Sequence, residues 1–222
     1  MVLQLKPMTP SDIPSFVALG AAAFRSGMAS LLHPEPHTPE QIQSDIDRHL
    51  NTMKNETDAH YLKVVDSELV NDDGTKGKMI AGAKWRINLQ ERSEEVVKAQ
   101  MRKIGEDEKV TDAYRDFSAW LEGMRWKWMG TKPFFFLHIL CTHPDHHRRG
   151  AGGMLVRWGI EQADKEGLPT YLEASEAGKP LYERLGFEEV EVKLYDLSKY
   201  GAEGIETNTV MIRKPRTVDG TI

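Results

Sequence analysis

The chain has a single cysteine, Cys141, among its 222 residues. That excludes an intramolecular disulfide and any multi-cysteine zinc site. Long apolar runs are missing too: a stretch such as Phe134-Phe135-Phe136-Leu137 falls far short of the roughly 18 residues a membrane span needs. There is no basic excess, with 29 Lys+Arg against 34 Asp+Glu and a net charge of −5, whereas a nucleic-acid binder shows a basic surplus at least regionally. Residues 1–7 carry no charged segment followed by a long apolar one, so no secretory signal is expected. Internal repeats and low-complexity tracts are absent as well. These gaps point to a soluble protein of a reducing compartment, cytoplasmic with a nuclear location left open, with neither nucleic acid nor membrane as partner. The length suffices for one sizeable core.

What is present is periodic. Leu3 and Leu5 alternate with polar neighbours, a short strand, and Thr9-Pro10-Ser11-Asp12 offers helix caps ahead of Phe16, Leu19 and Phe24. Thr38-Pro39-Glu40-Gln41 reads as a capping box opening a helix with Ile42, Ile46, Leu50 and Met53 on one side. A hairpin follows, Tyr61 to Val65 and Met79 to Ile87, turned by Asn71-Asp72-Asp73-Gly74. Residues 91–130 become charged and helical. Val110, Tyr114, Phe117, Leu121, Met124 and Trp128 are spaced four, three, four, three, four, a core-facing stripe.

The second half alternates strand and helix: a buried strand from Phe134 to Cys141, a helix from Gly150 to Lys165, a strand from Thr170 to Ala174 and a short helix from Ser175 to Leu185 ended by Gly186. Phe187 to Leu197 and Thr209 to Arg213 read as the last strands, and 214–222 as a loose tail.

The chemistry concentrates between the buried strand and the next helix, in His143-Pro144-Asp145-His146-His147-Arg148-Arg149-Gly150-Ala151-Gly152-Gly153. The first N–H groups of a helix have no intrahelical partner, and its dipole makes that end positive. With glycines that admit close approach and two adjacent arginines, this is an anion site suited to phosphate. A P-loop would need a Lys-Ser/Thr pair after the glycines, and a Rossmann fingerprint a third glycine where Leu155 stands. Both fail. The irregular spacing of His143, Asp145, His146 and His147 argues against a metal site.

On these residues the sequence resembles the GCN5-related N-acetyltransferase (GNAT) superfamily. His147-Arg148-Arg149-Gly150-Ala151-Gly152 matches its [Gln/Arg]-x-x-G-x-[Gly/Ala] pyrophosphate signature, entered through Thr142-His143-Pro144. Leu181-Tyr182-Glu183-Arg184-Leu185-Gly186-Phe187 matches its L-Y-x-x-x-G-F. The resemblance is close over 134–197 and loose over 2–90. It implies an α/β (α+β) fold: a mixed central sheet of about six to seven strands, splayed in the middle and flanked by helices. It also implies one GNAT domain over 1–222, with a helical insertion at about 91–130.

The implied activity is transfer of acetyl from acetyl-CoA, as co-substrate, to a primary amine by direct attack on the thioester. Transfer of another short acyl group and a non-catalytic acyl-CoA-binding sensor are the alternatives. The coenzyme would pair with backbone around Leu140, Cys141 and Thr142. It would take N–H groups from Arg149, Gly150, Ala151, Gly152 and Gly153, a hydrogen bond from His147, and charge from Arg148 and Arg149 beside them. Ser175, Gly178, Lys179 and Tyr182 would complete its contacts. Tyr182 would be the general acid, and His138 or Glu173 the base. The acceptor would be an amine-bearing small molecule or peptide, and the enzyme a monomer or homodimer.

Overall fold

The computed structural model describes residues 2–32, 37–71, 73–100 and 110–216. Its strands are β1 (Leu3–Pro7), β2 (Ala59–Val70), β3 (Lys76–Asn88), β4 (Phe134–Thr142), β5 (Thr170–Ser175), β6 (Glu188–Asp196) and β7 (Ile205–Arg213). They form one mixed seven-stranded sheet in the order β1-β2-β3-β4-β5-β7-β6. The helices that flank it are α1 (Ile13–Ala23), α2 (Gly27–Leu32), α3 (Pro39–Asn55), α4 (Glu94–Gln100), α5 (Asp112–Trp128), α6 (Ala151–Glu166) and α7 (Lys179–Arg184). The chain groups into two compact units: Met1–Arg25, His37–Ile87 and Phe136–Gln162 in the first, Ser26–Pro36, Asn88–Phe135 and Ala163–Ile222 in the second.

In the first unit, antiparallel β2 pairs with β1 on one side and β3 on the other. The hairpin strands run longer than their apolar residues suggest. The turn carries the pairing outward: Asn71 N–H donates to Thr75 O at 2.8 Å, and Asp73 accepts from the Thr75 N–H at 2.9 Å. The capping box at Thr38 forms as expected, with Gln41 N–H donating to Thr38 Oγ1 at 3.3 Å and Gln41 Oε1 accepting from Thr38 N–H at 2.8 Å. Ile13, Phe16 and Leu19 of α1 pack with Met8, Tyr61 and Cys141, and Ile46, Leu50 and Met53 of α3 lie against them. Ile42, expected on that face, is exposed.

Strand side chains alternate between faces. Lys84 and Tyr61 oppose each other across β2 and β3, and Trp85 therefore points the other way, toward α6. Trp85 is fully buried and its Nε1–H donates to Leu155 O at 3.3 Å. Its indole occupies the space a side chain at 159 would fill, since a Cβ there would stand 2.2 Å from the ring. Gly159 is what lets α6 come this close to the sheet.

The second unit is built on β5, β7 and β6, with β7 antiparallel to both β5 and β6. β7 starts four residues earlier than its apolar pattern indicates. Its polar residues Glu206, Thr207 and Asn208 are paired with β6 all the same, from Ile205 opposite Asp196 onward. The short helix expected from Ser175 begins only at Lys179. Ser175 still closes β5, and Pro180 stands in the first turn, where its missing N–H costs nothing. The stripe expected over 110–128 is α5, capped by Thr111, so Val110 precedes the helix. Its Ala113, Phe117 and Trp120 pack with Met28, Tyr195 and Leu197. Residues 101–109 of the expected insertion and 217–222 of the expected tail lie outside the described residues. The start of that tail is not loose: Asp164 accepts from Arg216 N–H at 2.8 Å and from both Nη groups of Arg213.

Among the buried residues of the first unit is an ionisable trio. His49 Nδ1 lies 2.8 Å from the Tyr61 hydroxyl, and Lys84 Nζ sits 5.6 Å from the Tyr61 ring centre. Lys84 is 5 % exposed. Burial, then the nearby Arg86, brings its ammonium down to about 7, and burial brings His49 down to about 4. The folded state therefore holds fewer protons at Lys84 than the unfolded chain between about 7 and the ordinary 10.5, and stability rises with pH across that window. We expect Lys84→Met to be more stable than the native chain at about pH 6, with the gap narrowing by about pH 9. Urea unfolding of the two proteins at both pH values measures this, and a gap independent of pH would refute it.

Candidate functional site

β4 runs from Phe134 to Thr142 and ends in a short 3-10 turn, Pro144–His146, ahead of α6. Its side chains divide between faces. Cys141 and Ile139 turn toward the α1 and α3 core, while Phe136 and His138 share the other face, their rings 5.2 Å apart. Cys141 is 2 % exposed, and burial pushes its thiol up to about 12, so it is an inert apolar filler rather than a nucleophile.

The turn itself is unusual. Arg148 has φ +59°, the one non-glycine residue at positive φ among the described residues, and Gly150 has φ +89°. The left-handed conformation costs an ordinary residue roughly 1–2 kcal/mol. In exchange the chain enters α6 at once. Met154 N–H donates to Gly150 O at 3.1 Å, the first bond of the helix, so the N–H groups of Gly150, Ala151, Gly152 and Gly153 lie ahead of it without intrahelical acceptors. A Cβ built on Gly150 meets nothing within 4 Å, so the space beside the turn is open. Four free donors at the positive end of a sixteen-residue helix, with open space beside Gly150, fit a pyrophosphate.

The side chains around the turn differ from expectation. Arg149 is expected to add its charge beside the phosphate. Its guanidinium instead turns inward to the carboxylate of Asp66 on β2, and its Nη1 lies 3.1 Å from His146 Nδ1. The pair wins because Asp66, 2 % exposed, would otherwise be a buried unpaired charge. His147 was expected to donate to phosphate. Its Nε2 lies 3.1 Å from Thr142 O, so in the neutral ring the N–H is spent on that carbonyl, and the carbonyl is in turn taken. Arg148 remains exposed beside the turn.

The other expected residues belong to the second unit. Tyr182, on α7, is 7 % exposed, with its ring edge-on to Phe187 at 5.9 Å. Its hydroxyl makes no hydrogen bond among the described residues, and burial raises its pKa above the ordinary phenol value. It is a protonated donor across the neutral range. Ser175 Oγ accepts from Gly178 N–H at 3.2 Å, ordering the turn into α7. Lys179, expected near the adenosine phosphates, is paired with Glu189 of β6, which its flexible stem can reach.

Glu173 does not stand ready as a base. Arg125 of α5 grips it with two parallel bonds, Nε to Oε1 at 2.7 Å and Nη2 to Oε2 at 2.8 Å. Tyr171 donates a third, at 3.1 Å. Burial and the Glu173 charge push the Tyr171 hydroxyl up, so it stays a donor. With three donors on its two oxygens, the carboxylate is committed to structure rather than turned toward a substrate. Neither Arg125 nor Asp66 stood out in the sequence: each is an isolated charge whose partner lies 48 or 83 residues away.

Residues 114–189, which contain β4, the turn, α6, β5 and α7, match the family model of the acetyltransferase (GNAT) domain. Over that stretch the chain is similar to the GNAT domain. It is 42% identical over 80 residues to a probable acyltransferase, SID5, of Ajellomyces capsulatus; the match covers 32% of this chain and 58% of that relative. The fold is that of arylalkylamine N-acetyltransferase 2 from Aedes aegypti (TM-score 0.65, 13% identity, 97% of this chain and 100% of that one). It is also that of Arabidopsis thaliana NAA60 in complex with acetyl-CoA (TM-score 0.53, 14% identity, 96% and 98%). The GNAT phosphate turn and L-Y-x-x-x-G-F segment both lie inside the matched stretch.

A Glu173→Gln variant separates a structural from a catalytic role. Removing one partner of a buried pair is costly; with Arg125 27% exposed and Glu173 only 7%, the loss should be about 2 kcal/mol of unfolding free energy. Denaturant unfolding measures that loss. Turnover should keep its acid limb, and a loss of that limb would restore Glu173 as the base.

Proposed function

We propose that the protein is an acetyl-CoA-dependent N-acetyltransferase acting on a primary amine. The observation that carries this reading is the turn at Arg148–Gly153: four helix-start N–H groups beside open space, in the stretch that matches the GNAT domain. The acetyl-CoA complex of a protein with the same fold supports the choice of donor.

On this reading the pyrophosphate sits at the α6 N-terminus, where the dipole and the donors of Gly150–Gly153 neutralise it. The pantetheine lies along β4 and pairs with backbone near Leu140. The acceptor amine, as the free base, attacks the thioester carbonyl carbon; a C–N bond forms and the carbonyl electrons move to oxygen. On collapse the C–S bond breaks, and Tyr182 gives its hydroxyl proton to the departing thiolate. The amine proton leaves to water or to His138, Glu173 being committed to Arg125. The relative's designation as an acyltransferase favours a second reading, transfer of another short acyl group by the same steps.

Free-thiol release from acetyl-CoA, followed across a panel of arylalkylamines, polyamines and peptides, tests the proposal. Turnover with at least one amine supports it. Tight coenzyme binding without turnover on any amine, with acetyl or another short acyl donor, refutes it in favour of a sensor. We expect Tyr182→Phe to lower kcat about tenfold or more, with coenzyme affinity little changed. In the native enzyme the Tyr182 limb should fall above the ordinary phenol value of 10, because its pKa is raised. Gly150→Val should abolish coenzyme binding, since a β-branched residue cannot take φ +89° without strain. Retained affinity would detach the coenzyme from this turn.

A further inference from the structure

The strained residue in the turn needs something to hold it. Backbone conformations of this kind persist only where the surroundings over-determine them, and they gather at ligand clamps. On one side of Arg148, the His147 ring bonds Thr142 O. On the other, Ala151 is 1% exposed and seats the start of α6. Between them stands Arg149, and its side chain is the longest-range restraint on the turn.

Arg149 reaches Asp66, on a strand 83 residues earlier in the chain. Asp66 is well fixed. It lies in the sheet, opposite both Leu3 and Lys78, where the pairing of β2 with β3 slips register between Asp66 and Val70. Its second oxygen accepts from Glu68 N–H at 3.0 Å. The hydrogen bond from Arg149 holds its carboxyl below the usual carboxylate range, so the pair is ionised at neutral pH.

We infer that Asp66 is a positioning residue for the coenzyme: through Arg149 it holds the Arg148 turn in the left-handed conformation that presents the N–H groups of Gly150–Gly153 to pyrophosphate. The inference rests on the reading of this turn as the coenzyme site. Asp66 acts on the backbone and supplies no contact to the ligand. Its effect should therefore disappear when the residue at 148 no longer needs to be held.

That gives a double-mutant cycle with coenzyme A as the probe, measured by calorimetry on the full chain. Asp66→Asn should weaken coenzyme binding about tenfold, the equivalent of releasing one left-handed residue. KM for the acyl donor should rise by the same factor, and kcat at saturation should hold within about twofold. In an Arg148→Gly background, where positive φ costs nothing, the same Asp66→Asn change should weaken binding less than about threefold. Equal losses in both backgrounds, or no loss in either, would overturn the inference.

A ligand-free readout keeps it independent of the functional reading. Amide hydrogen exchange over 154–157, the first hydrogen-bonded turn of α6, should quicken in Asp66→Asn and, by contrast, change little when Asp66→Asn is added to Arg148→Gly. If native protein bound no coenzyme A but exchange followed this pattern, the positioning role would stand and the acetyltransferase reading would fall. Unchanged protection in Asp66→Asn would overturn the positioning role whatever binds. Should Asp66→Asn fail to fold, Arg149→Lys keeps the charge, loses the forked geometry and should weaken binding about threefold or more, again without lowering kcat; native-like affinity there would overturn the inference.

Discussion

The first turn of α6 sets the terms for everything around it. A helix must begin with N–H groups that have no partner in the helix, and in this chain four of them follow a turn with open space beside Gly150. Such donors must find water, a side chain or a ligand. No capping Ser, Thr, Asp or Asn precedes the helix; Gly150 stands at that position and Arg148, two residues earlier, is forced to positive φ. The chain thus gives up a local cap and accepts backbone strain there. Both choices make sense if the donors are kept for an anion. The fixed elements nearby follow from the same requirement. Trp85 against Gly159 sets how close α6 lies to the sheet, and Arg149 ties the turn to β2.

The charge distribution follows a second rule, that a buried or half-buried charge is paired. Arg149 with Asp66, Arg125 with Glu173 and Arg213 with Asp164 each join distant segments. In the sequence, His143 to Arg149 looks like a basic island open to a polyanion. In the fold much of that charge is already neutralised: Arg149 by Asp66, and the His147 donor by a carbonyl. What remains for phosphate is chiefly backbone, with Arg148 beside it. Backbone donors are fixed by the helix and carry no protonation equilibrium, so a site built from them binds its anion with little dependence on pH.

This difference marks what the sequence could and could not reveal. Signals written within a few residues were legible. The Thr38 capping box, the turn at Asn71–Gly74, the α5 stripe and the glycines before α6 all appear where local chemistry puts them. Seven strands agree with the six to seven that the GNAT resemblance implies. Pairings across tens of residues were not legible. Glu173 looked like a candidate base because nothing near it in sequence shows that Arg125 will grip it. Asp66 and Lys84 passed as ordinary charges on a strand. The ends of strands blurred for a related reason: β7 is held at its polar start by β6, so its apolar pattern marks only part of it.

Acid and base then have different footing on the proposed reading. An aliphatic amine has an ordinary pKa near 10.4, so at neutral pH only about one molecule in 2,500 is the nucleophile, and the reaction must dispose of a proton before attack. The acid side is already provided. Tyr182 is buried, its hydroxyl carries a proton through the neutral range, and no protein group among the described residues competes for it. The base side has lost its carboxylate to a structural pair, and His138 would accept the proton only as the neutral imidazole. An acetyltransferase arranged this way gains rate by binding the free amine and protonating the thiolate, rather than by pulling a proton from a bound ammonium with a strong base. That division favours acceptors whose amines are weakly basic, or whose ammonium form is stripped of its proton as it leaves water.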